Sequence, residues 1–522
     1  MIDGVMQDFP LTLDRILEHA AKWAGDVEVV AAREHGPSQR IGYGALRERS
    51  VKVSSVLAGL GVTVGERVAT LAWNSQAHVE AWYAIMGMGA VCHTLNPRLT
   101  ATQLAWMIGQ SGARILIVSA DLLPLATQMA AEAPGLERVL VIDGAVETSA
   151  RIEALDPLID QANATVRWGN FPETAPSGLC FTSGSTGAPK GVTYTHRSSF
   201  LHTLRLLQAD ALALSGSDVV LPVVPMFHAS AWGLPFAAPA TGAKLVLPGR
   251  HTDGASLARL IEAEGVTVAV GVPTLWLGLC DHLEATGQTL PSLKRITVGG
   301  AAMPPALMER LEQRLGVVVQ TSWGMTELSP VGTTGVMSDP VRNAGLSGRP
   351  QLGVDLMVAD EDGKPLPEQR ETEGRLHVRG AAVIERYFGQ ETSATDADGW
   401  FDTGDLALID RQGNLKITAR AKDLIKSGGE WINPAEIEAL VCALPQVALA
   451  AVIGRVDPKW GERPLLIVQL CEEIADEAVL GCLRGQVASW WIPDAVVRAP
   501  AIPLAATGKI DKIRLRATYS GA

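Results

Sequence analysis

A stretch rich in glycine and hydroxyl side chains has the composition of a phosphate-binding loop. Residues 182–191 read Thr-Ser-Gly-Ser-Thr-Gly-Ala-Pro-Lys-Gly, and they follow a short apolar run at residues 178–181. Glycines let backbone N–H groups approach phosphate oxygens closely, hydroxyl groups donate further hydrogen bonds, and the single lysine, Lys190, neutralises negative charge. The segment is not a Walker A loop, because Pro189-Lys190-Gly191 stands where that motif requires Gly-Lys-Ser/Thr. Phosphate binding is the preferred interpretation, and a flexible surface loop is the alternative.

The length and composition predict a large multidomain globular protein. The chain has 522 residues, of which 47% are apolar and 19% are charged. At roughly 100–200 residues per domain, this length corresponds to about two to four domains. Disordered chains are poor in apolar residues and rich in charge, so the composition excludes disorder as the main state. The net charge of −12 comes without any basic run, which argues against non-specific binding to nucleic acid.

The cysteines and the hydropathy pattern predict a cytoplasmic protein without a transmembrane segment. None of the six cysteines belongs to a CxxC pair or a zinc-finger spacing, which is typical of reduced cysteines that behave as small apolar residues. The nearest candidate for a membrane span, residues 266–280, is interrupted by Pro273 and is shorter than the roughly 18 residues required. Residues 1–10 carry two aspartates and lack the pattern of a secretory signal.

Short apolar runs alternate with helical patterns along most of the chain, which favours an α/β fold of layered, mainly parallel sheets. The predicted strands are residues 114–119, 138–143, 244–248, 266–270, 295–299 and 317–320, and the predicted helices between them include residues 256–264 and 305–315. After about residue 345, turn-rich segments at residues 360–363, 398–399 and 410–413 predict a small β-unit. The C-terminal segment predicts a small α+β piece, with a helix at residues 434–443 and strands at residues 447–453 and 465–470.

The loop sequence TSGSTGAPKG resembles the signature of the adenylate-forming superfamily, which includes acyl-CoA synthetases, adenylation domains and firefly luciferase. Five further segments match that superfamily in the expected order, so the resemblance covers nearly the whole chain. It is strongest to medium- and long-chain fatty acid–CoA ligases, in residues 221–228, 231–233, 422–431 and 490–494. The resemblance implies an AMP-forming ligase. In such enzymes a carboxylic acid attacks the α-phosphate of ATP, pyrophosphate leaves, and the thiol of CoA captures the acyl-adenylate.

The resemblance also implies a nucleotide site that uses magnesium. It makes Glu327 the Mg²⁺ ligand, Thr326 a phosphate contact and Trp323 the ring that stacks on adenine, with an ordinary core aromatic as the alternative for Trp323. Asp405 fits a carboxylate that accepts hydrogen bonds from ribose hydroxyls, and Arg420 matches an arginine that meets the ribose or phosphate. The full set predicted for ATP and AMP is Thr182, Ser183, Gly184, Ser185, Thr186, Gly187, Gly300, Ala301, Trp323, Gly324, Asp405 and Arg420.

A lysine near the C-terminus resembles the residue that the family uses for adenylation. Lys509 would bridge the carboxylate and the phosphate, and the predicted catalytic set is Lys509, Glu327, Thr326 and Lys190. The chain departs from its relatives beside two of these positions. Ala419 precedes Arg420 where the family usually has glycine, and Ala505 stands where relatives commonly carry a hydroxyl or amide residue.

The two half-reactions imply a hinge, because the family rotates its small C-terminal domain between adenylation and thiolysis. By resemblance, the domains are residues 1–419, which bind AMP and the acyl group, and residues 420–522, which are mobile, with the hinge near Lys422. Rotation would bring Gly428, Gly429 and Trp431 to the tunnel that admits the thiol arm of CoA.

The predicted acyl-binding residues are His228, Trp232 and Gly299. No acidic residue lies between residues 226 and 232, where amino-acid-activating relatives often carry an aspartate, so an amino acid substrate is disfavoured. Trp232 matches a tryptophan that gates a fatty-acyl tunnel in relatives, although Ser230 replaces their frequent asparagine. The apolar residues that follow Trp232 favour a hydrophobic acyl group.

The expected substrate is a medium- to long-chain fatty acid, with methylthiopropanoate-like and aryl acids as alternatives in the same class. A different class is an acyl-adenylate enzyme that uses oxygen or an acceptor other than CoA. A non-catalytic nucleotide-binding relative is disfavoured by the intact set Lys190, Thr326, Glu327, Asp405, Arg420 and Lys509. The implied partners are the acid, ATP and CoA, with Mg²⁺ as cofactor. Relatives are often dimers, so a homodimer is compatible with the resemblance.

Overall fold

The computed structural model describes residues 3–33, 36–182, 189–339, 342–427, 430–505 and 509–519. Within these ranges it contains 14 α-helices and 25 β-strands. The helices are α1 (Asp14–Trp23), α2 (Tyr43–Gly59), α3 (Gln76–Gly87), α4 (Ala101–Ser111), α5 (Leu123–Glu132), α6 (Leu155–Gln161), α7 (His196–Leu206), α8 (Leu234–Thr241), α9 (Gly254–Glu264), α10 (Pro273–Thr286), α11 (Pro305–Leu315), α12 (Pro434–Cys442), α13 (Asp476–Gly481) and α14 (Lys512–Tyr519).

The strands are β1 (Glu28–Ala31), β2 (Gln39–Gly42), β3 (Arg67–Leu71), β4 (Val91–Thr94), β5 (Ile115–Ser119), β6 (Arg138–Ile142), β7 (Ile152–Ala154), β8 (Pro176–Phe181), β9 (Gly191–Thr195), β10 (Val219–Pro222), β11 (Lys244–Leu247), β12 (Val268–Gly271), β13 (Arg295–Val298), β14 (Val318–Gly324), β15 (Val331–Thr334), β16 (Arg349–Pro350), β17 (Val354–Ala359), β18 (Glu373–Gly380), β19 (Phe401–Ile409), β20 (Leu415–Arg420), β21 (Ile425–Ser427), β22 (Glu430–Ile432), β23 (Val447–Asp457), β24 (Gly461–Leu470) and β25 (Val496–Arg498).

Two large sheets form the body of the N-terminal domain. The first has nine strands in the order β16-β15-β14-β13-β12-β10-β11-β1-β2 and is parallel from β14 to β1. The second has seven strands in the order β7-β6-β5-β3-β4-β8-β9 and is parallel from β7 to β8. Parallel strands need crossover connections that place helices over the sheet, so their residues are apolar on both faces.

Helices cover both faces of these sheets and produce a layered core. Residues of α1, α2, α3 and α8 pack between the two sheets, where Trp82 of α3 is 1% exposed. Helices α9, α10 and α11 cover the outer face of the nine-stranded sheet, and α4 and α5 cover that of the seven-stranded sheet. No helix in the described part of the chain is long and apolar enough to cross a membrane.

Two smaller sheets follow in the chain. Strands β17 to β20 form an antiparallel sheet in sequence order, and its core includes Trp323 of β14 and Tyr194 of β9. The smaller C-terminal domain contains a five-stranded sheet in which β22, β21, β24 and β23 lie in that order and β25 pairs with β24. The change from one sheet to the other falls between Arg420, the last residue of β20, and Ile425, the first of β21.

The α/β fold predicted from the sequence is confirmed. Several element boundaries differ from the prediction, and two of these differences have clear local reasons. The strand predicted to begin at Val266 begins at Val268, because the N–H of Val266 donates to the carbonyl of Ile261 and closes the C-terminal end of α9. The helix predicted from residue 256 begins two residues earlier, after Asp253, whose carboxylate accepts the N–H of Ser256 at 3.0 Å.

Candidate active site

The predicted nucleotide and acyl residues gather at the carboxyl ends of β13 and β14. Gly299 and Gly300 follow directly after β13, and β14 continues to Gly324, so Trp323 and Gly324 lie in the strand rather than after it. The Ser322 hydroxyl donates to the carbonyl of Val298 at 3.0 Å and ties the two strand ends together. Since neighbouring parallel strands end at one edge of the sheet, this placement forms a single site.

A turn of left-handed backbone presents Trp232 to this edge. Ala229, Ser230, Ala231 and Trp232 have φ angles of 45°, 52°, 46° and 53°, a region that costs an L-residue roughly 1–2 kcal/mol. The turn places the indole over Gly299, where an added Cβ would lie 2.9 Å from Cη2 of Trp232 and would overlap the Ser322 hydroxyl. Glycine at position 299 is therefore required by the indole, and both are predicted acyl-site residues.

Glu327 and Lys190 both contact Tyr387, a residue that belongs to none of the motifs described above. The Tyr387 hydroxyl donates to Oε1 of Glu327 at 2.9 Å, and Nζ of Lys190 lies 4.7 Å from the centroid of the Tyr387 ring. Glu327 is 7% exposed, and burial raises the pKa of its carboxyl, whereas the bond from Tyr387 lowers it. The adjacent Thr326 is also buried, and its carbonyl accepts the hydroxyl of Tyr194.

Trp323, Asp405 and Arg420 form a chain of contacts across β14, β19 and β20. The indole Nε1 of Trp323 donates to Oδ2 of Asp405 at 2.9 Å, and Nε of Arg420 lies 3.1 Å from Oδ1 of the same carboxylate. Asp405 is 3% exposed, whereas the side chain of Arg420 is 45% exposed. Trp323 itself is 8% exposed and packs in the core of the four-stranded sheet.

Lys509 reaches this site from the C-terminal domain. An added Cβ on Gly300 would lie 3.7 Å from Cε of Lys509, so the lysine stem passes over the end of β13. The pKa of Lys509 is lowered to about 8, chiefly by burial and also by the charges of Arg420 and Lys422, against the opposing charges of Asp405 and Glu327. The ammonium group is therefore surrounded by charges of both signs.

His228 is close enough to Lys509 for the lysine charge to act on it. Burial lowers its pKa to about 4, and the positive charges of Lys509 and Arg98 act in the same direction. At neutral pH the imidazole is uncharged. It offers one N–H and one acceptor nitrogen beside the lysine, without adding a third cation.

Other predicted residues lie away from this group. Trp431 is 49% exposed on the C-terminal domain, and its ring is 5.3 Å from Nζ of Lys426. Lys422 lies in a short 3₁₀ turn, and burial lowers its pKa. Ala301 follows Gly300, and Thr182 precedes the loop and donates its N–H to the carbonyl of Lys190. The predicted residues Ser183, Gly184, Ser185, Thr186, Gly187, Gly428 and Gly429 lie outside the described residues.

Two ion pairs hold α14, the helix that follows Lys509. Nζ of Lys512 lies 2.7 Å from Oε1 of Glu438, which belongs to α12. Arg516 contacts Asp423, directly after Lys422, at 3.0 Å. Together they fix the segment that carries Lys509 to both the C-terminal domain and the predicted hinge. Sequence reasoning missed these contacts because the partners lie 74 and 93 residues apart (512 − 438 and 516 − 423).

The Tyr387→Phe variant tests the bond to Glu327. The bond favours the ionised carboxylate, so its loss raises the pKa of Glu327 further. The stability that it contributes is present above that pKa and is lost as the pH falls through it. We expect a loss of about 1.5–3 kcal/mol above the pKa and a loss that shrinks as the pH falls through it, measured as the urea midpoint of the variant relative to wild type across pH 5–8.5.

Tyr194→Phe is the matched control, because its hydroxyl bonds to the uncharged carbonyl of Thr326 at 2.9 Å. Its stability loss should be nearly the same at every pH in that range. A Tyr387→Phe loss that is equally flat would contradict a bond to an ionised Glu327.

Comparison with known proteins places this geometry in a family. The model for AMP-binding enzymes matches residues 16–388, and the model for the AMP-binding enzyme C-terminal domain matches residues 436–509. The chain is 40% identical to the 3-methylmercaptopropionyl-CoA ligase of Ruegeria lacuscaerulensis over 99% of each chain. It is 41% identical to the medium-chain-fatty-acid–CoA ligase of Ectopseudomonas oleovorans over 99% of this chain and 97% of that protein.

The fold comparison agrees with the sequence comparison. The anthranilate CoA ligase AuaEII, solved in complex with anthranoyl-AMP, superposes with a TM-score of 0.89 and 25% identity over 98% of this chain and 99% of that one. The first model match includes the ends of β13 and β14, and the second reaches Lys509, whereas Asp405 and Arg420 lie between the two matches. The chain therefore belongs to the AMP-binding enzyme family and is an AMP-forming acyl-CoA synthetase.

Proposed function

We propose that the enzyme activates medium- to long-chain fatty acids and that Lys509 performs the adenylation step. The observation that carries the choice of acid is the apolar wall beside Trp232. Leu234, Pro235 and Phe236 begin α8 and are buried, and no carboxylate occurs in the left-handed turn before them. Such a wall favours an acyl group without an amine, and the medium-chain relative supports the same class.

The phosphate side of the proposed site consists of Lys190, Thr326 and Glu327. Lys190 and Thr326 would contact phosphate oxygens, since a cation and a hydroxyl are the groups that a polyanion requires. Asp405 would accept hydrogen bonds from the ribose hydroxyls. Arg420, whose Nε lies 3.1 Å from Oδ1 of Asp405, would contact the ribose or a phosphate. Trp323 would contribute one face of the adenine pocket while its Nε1 keeps Asp405 in place.

Glu327 fits a Mg²⁺ that is bound chiefly through phosphate oxygens. Mg²⁺ prefers hard oxygen ligands and usually takes only one or two protein carboxylates. The described residues contain no group of three or more His, Cys, Asp or Glu arranged to hold a metal, whereas Glu327 is a buried carboxylate that accepts the hydroxyl of Tyr387. When bound, the ion neutralises phosphate charge and polarises the nucleotide.

In the adenylation step, Lys509 would bring the two anions together. The carboxylate oxygen of the acid forms a bond to the α-phosphorus, and the bond from that phosphorus to the bridging oxygen of pyrophosphate breaks. The ammonium of Lys509 would neutralise both the carboxylate and the α-phosphate oxygen as charge shifts between them. Neutral His228 beside it would orient the carboxyl group without competing for charge.

Thiolysis would need the C-terminal domain to rotate about Lys422, between domains at residues 1–419 and 420–522. With Lys509 at Gly300, the arrangement suits adenylation, because Trp431 points to solvent. Rotation would withdraw Lys509 and bring Trp431, with Gly428 and Gly429, to the path of the pantetheine arm. The short segment between β20 and β21 is the place where the two sheets separate, which supports the hinge.

A second candidate acid is a methylthioalkanoate of the 3-methylmercaptopropionate type. The observation that favours it is the 40% identity to a 3-methylmercaptopropionyl-CoA ligase across the whole chain. The cytoplasmic location and the homodimer stay predictions.

A panel of C2–C16 fatty acids, aryl acids and methylthio acids tests the choice of substrate. Pyrophosphate release and acyl-CoA formation are measured for each acid with and without CoA. We expect the highest kcat/KM for unbranched acids of medium or longer chain. Repeated turnover, measured as continued AMP formation, should require CoA. Selectivity for aryl or methylthio acids would contradict a fatty acid substrate, whereas the assignment as a ligase would stand.

Lys509→Ala separates the two half-reactions. Pyrophosphate release should fall by about a thousandfold or more, since removing a group that stabilises transition-state charge costs about 10²–10³ or more in rate. Thiolysis of supplied acyl-adenylate should stay within a few-fold of wild type. Equal loss of both half-reactions would contradict alternation of the two arrangements.

The decline of the adenylation rate at high pH, its alkaline limb, should follow the deprotonation of Lys509. Because its pKa is about 8, kcat/KM for ATP in pyrophosphate release should decline as the pH rises through that value and the cation is lost. Lys422→Met removes a nearby positive charge, so the pKa of Lys509 rises and the limb moves to higher pH by about half to one unit.

Lys416→Met is the control for this shift, because Lys416 is an exposed lysine of β20 that does not influence Lys509. It should leave the limb in place. The same pH profile in the Lys422→Met variant and in wild type would contradict Lys509 as the titrating group.

A further inference from the structure

The buried side chain of Asn74 holds the backbone that leads to His228. Asn74 follows β3 of the seven-stranded sheet and is 3% exposed. Its Nδ2 donates to the carbonyls of Pro222 and Val224 at 3.0 and 2.9 Å, and its Oδ1 accepts the N–H of Met226 at 2.7 Å. These partners run from the last residue of β10, in the nine-stranded sheet, to two residues before His228. One amide therefore fixes three backbone groups directly before the acyl site.

Asn74 acts from a firmly held position. The carbonyl of the preceding residue, Trp73, accepts Nδ1–H of His78 in α3 at 2.9 Å. The indole Nε1 of Trp73 donates to Oδ2 of Asp121 at 2.9 Å. The same indole stands edge-on to Phe227, with 6.1 Å between ring centroids. The loop that carries Asn74 is thus joined to α3 on one side and to the residue before His228 on the other.

Tyr83, on the same helix α3, holds the chain on the far side of the left-handed turn. It is 1% exposed, its hydroxyl donates to the carbonyl of Pro235 at 2.9 Å, and its ring stands edge-on to Phe236 with 5.9 Å between centroids. In a regular helix that carbonyl would accept the N–H of residue 239, but Pro239 has none. The hydroxyl of Tyr83 therefore supplies a donor that α8 itself lacks.

The chain between these two fixed ends is strained. Residues 229–232 all have positive φ, a conformation that is unfavourable for residues with a side chain. Such backbone persists only where the surrounding structure holds it. The turn starts directly after His228 and ends with Trp232, whose indole packs on Gly299. Release of either end would therefore displace both side chains that are predicted to contact the acyl group.

We propose that Asn74 and Tyr83 are positioning residues that hold the two ends of the left-handed turn and thereby set how tightly the enzyme binds the acid. The inference rests on the proposed function, which assigns His228 and Trp232 to the acyl group. The residues proposed for the adenosine part of ATP lie on other strands, β14, β19 and β20. Binding of ATP should therefore not depend on Asn74 or Tyr83.

The variants Asn74→Ala and Tyr83→Phe test this separation. Pyrophosphate release is measured with the best acid of the panel, once with the acid varied and once with ATP varied. We expect the KM for the acid to rise at least about fivefold, the smaller effect of losing a buried hydrogen bond, and the KM for ATP to stay within about twofold. A smaller folded fraction would lower kcat and leave both KM values unchanged, so the split distinguishes positioning from general destabilisation.

Two matched controls remove similar bonds elsewhere. Gln369 donates from Nε2 to the carbonyls of Val358 and Leu366 at 2.9 and 2.8 Å, and its Oε1 accepts the N–H of Val358 at 2.9 Å. The buried hydroxyl of Tyr43 donates to the carbonyl of Ala243 at 2.6 Å, past the other end of α8. Gln369→Ala and Tyr43→Phe should leave both KM values at those of the wild type.

Thermal unfolding and far-UV circular dichroism show whether each variant is folded at the assay temperature. If Asn74→Ala does not fold, Tyr83→Phe, which removes a single oxygen, decides the inference. An unchanged KM for the acid in the folded variants, or an equal rise in the KM for the acid and for ATP, would overturn it.

The same experiment separates this inference from the choice of substrate. Because the best acid is used whatever its class, a preference for aryl or methylthio acids would contradict the fatty acid and leave the comparison of KM values valid. A wild-type enzyme that releases no pyrophosphate with any acid would contradict the proposed function, and the inference with it.

Discussion

The position of one ammonium group connects most features of this enzyme. Lys509 belongs to the C-terminal domain, yet its stem passes over Gly300 at the end of a strand in the large domain. It arrives beside Arg420 and Lys422, which repel it, and beside Asp405 and Glu327, which attract it. Desolvation adds to the repulsion, and the pKa of about 8 records the balance. A cation held against such opposition is strongly attracted by a polyanion, which fits the adenylation role proposed for Lys509.

The surroundings of Lys509 are built to tolerate this single charge. His228 is neutral and adds no repulsion. The hydroxyl of Tyr387 opposes the rise in the pKa of Glu327 that burial causes, and Asp405 is shared by Trp323 and Arg420. The left-handed turn that carries Trp232 packs its indole on Gly299, where no side chain comes between the indole and the strand end. Under the proposed function, the indole would offer a flat apolar surface to the acyl group, and the charged residues would face the nucleotide.

The sequence predicts the fold well where local signals determine it. Helix α11 occupies residues 305–315 as expected, because a proline occupies its first turn and Gly316 adopts the left-handed conformation that ends it. The buried strands likewise lie where the sequence has short apolar runs, which are also a local signal. The motif residues also gather as their order along the chain implies, since strand ends of a parallel sheet meet at one edge. The α/β class, the family and the ligase activity all follow from these features.

What the sequence does not predict depends on contacts between distant residues or on unusual backbone. Nothing local marks Tyr387, whose partner lies 60 residues earlier in the chain. Ala, Ser and Trp rarely adopt positive φ, so no residue type announces the left-handed turn before Gly233. Arg205 looks like one polar residue of an ordinary helix, and only the packing around α7 shows that two of its nitrogens are buried without an acceptor among the described residues.

The central claim is that the carboxylate of the acid attacks the α-phosphorus of ATP in the site around Lys509. It is tested most directly by supplying the acid with both carboxyl oxygens labelled with ¹⁸O, together with ATP and CoA, and analysing the products by mass spectrometry. The account predicts one ¹⁸O atom in the phosphate of AMP, one retained in the acyl-CoA, and none in pyrophosphate. Label in pyrophosphate or inorganic phosphate, or unlabelled AMP, would contradict it.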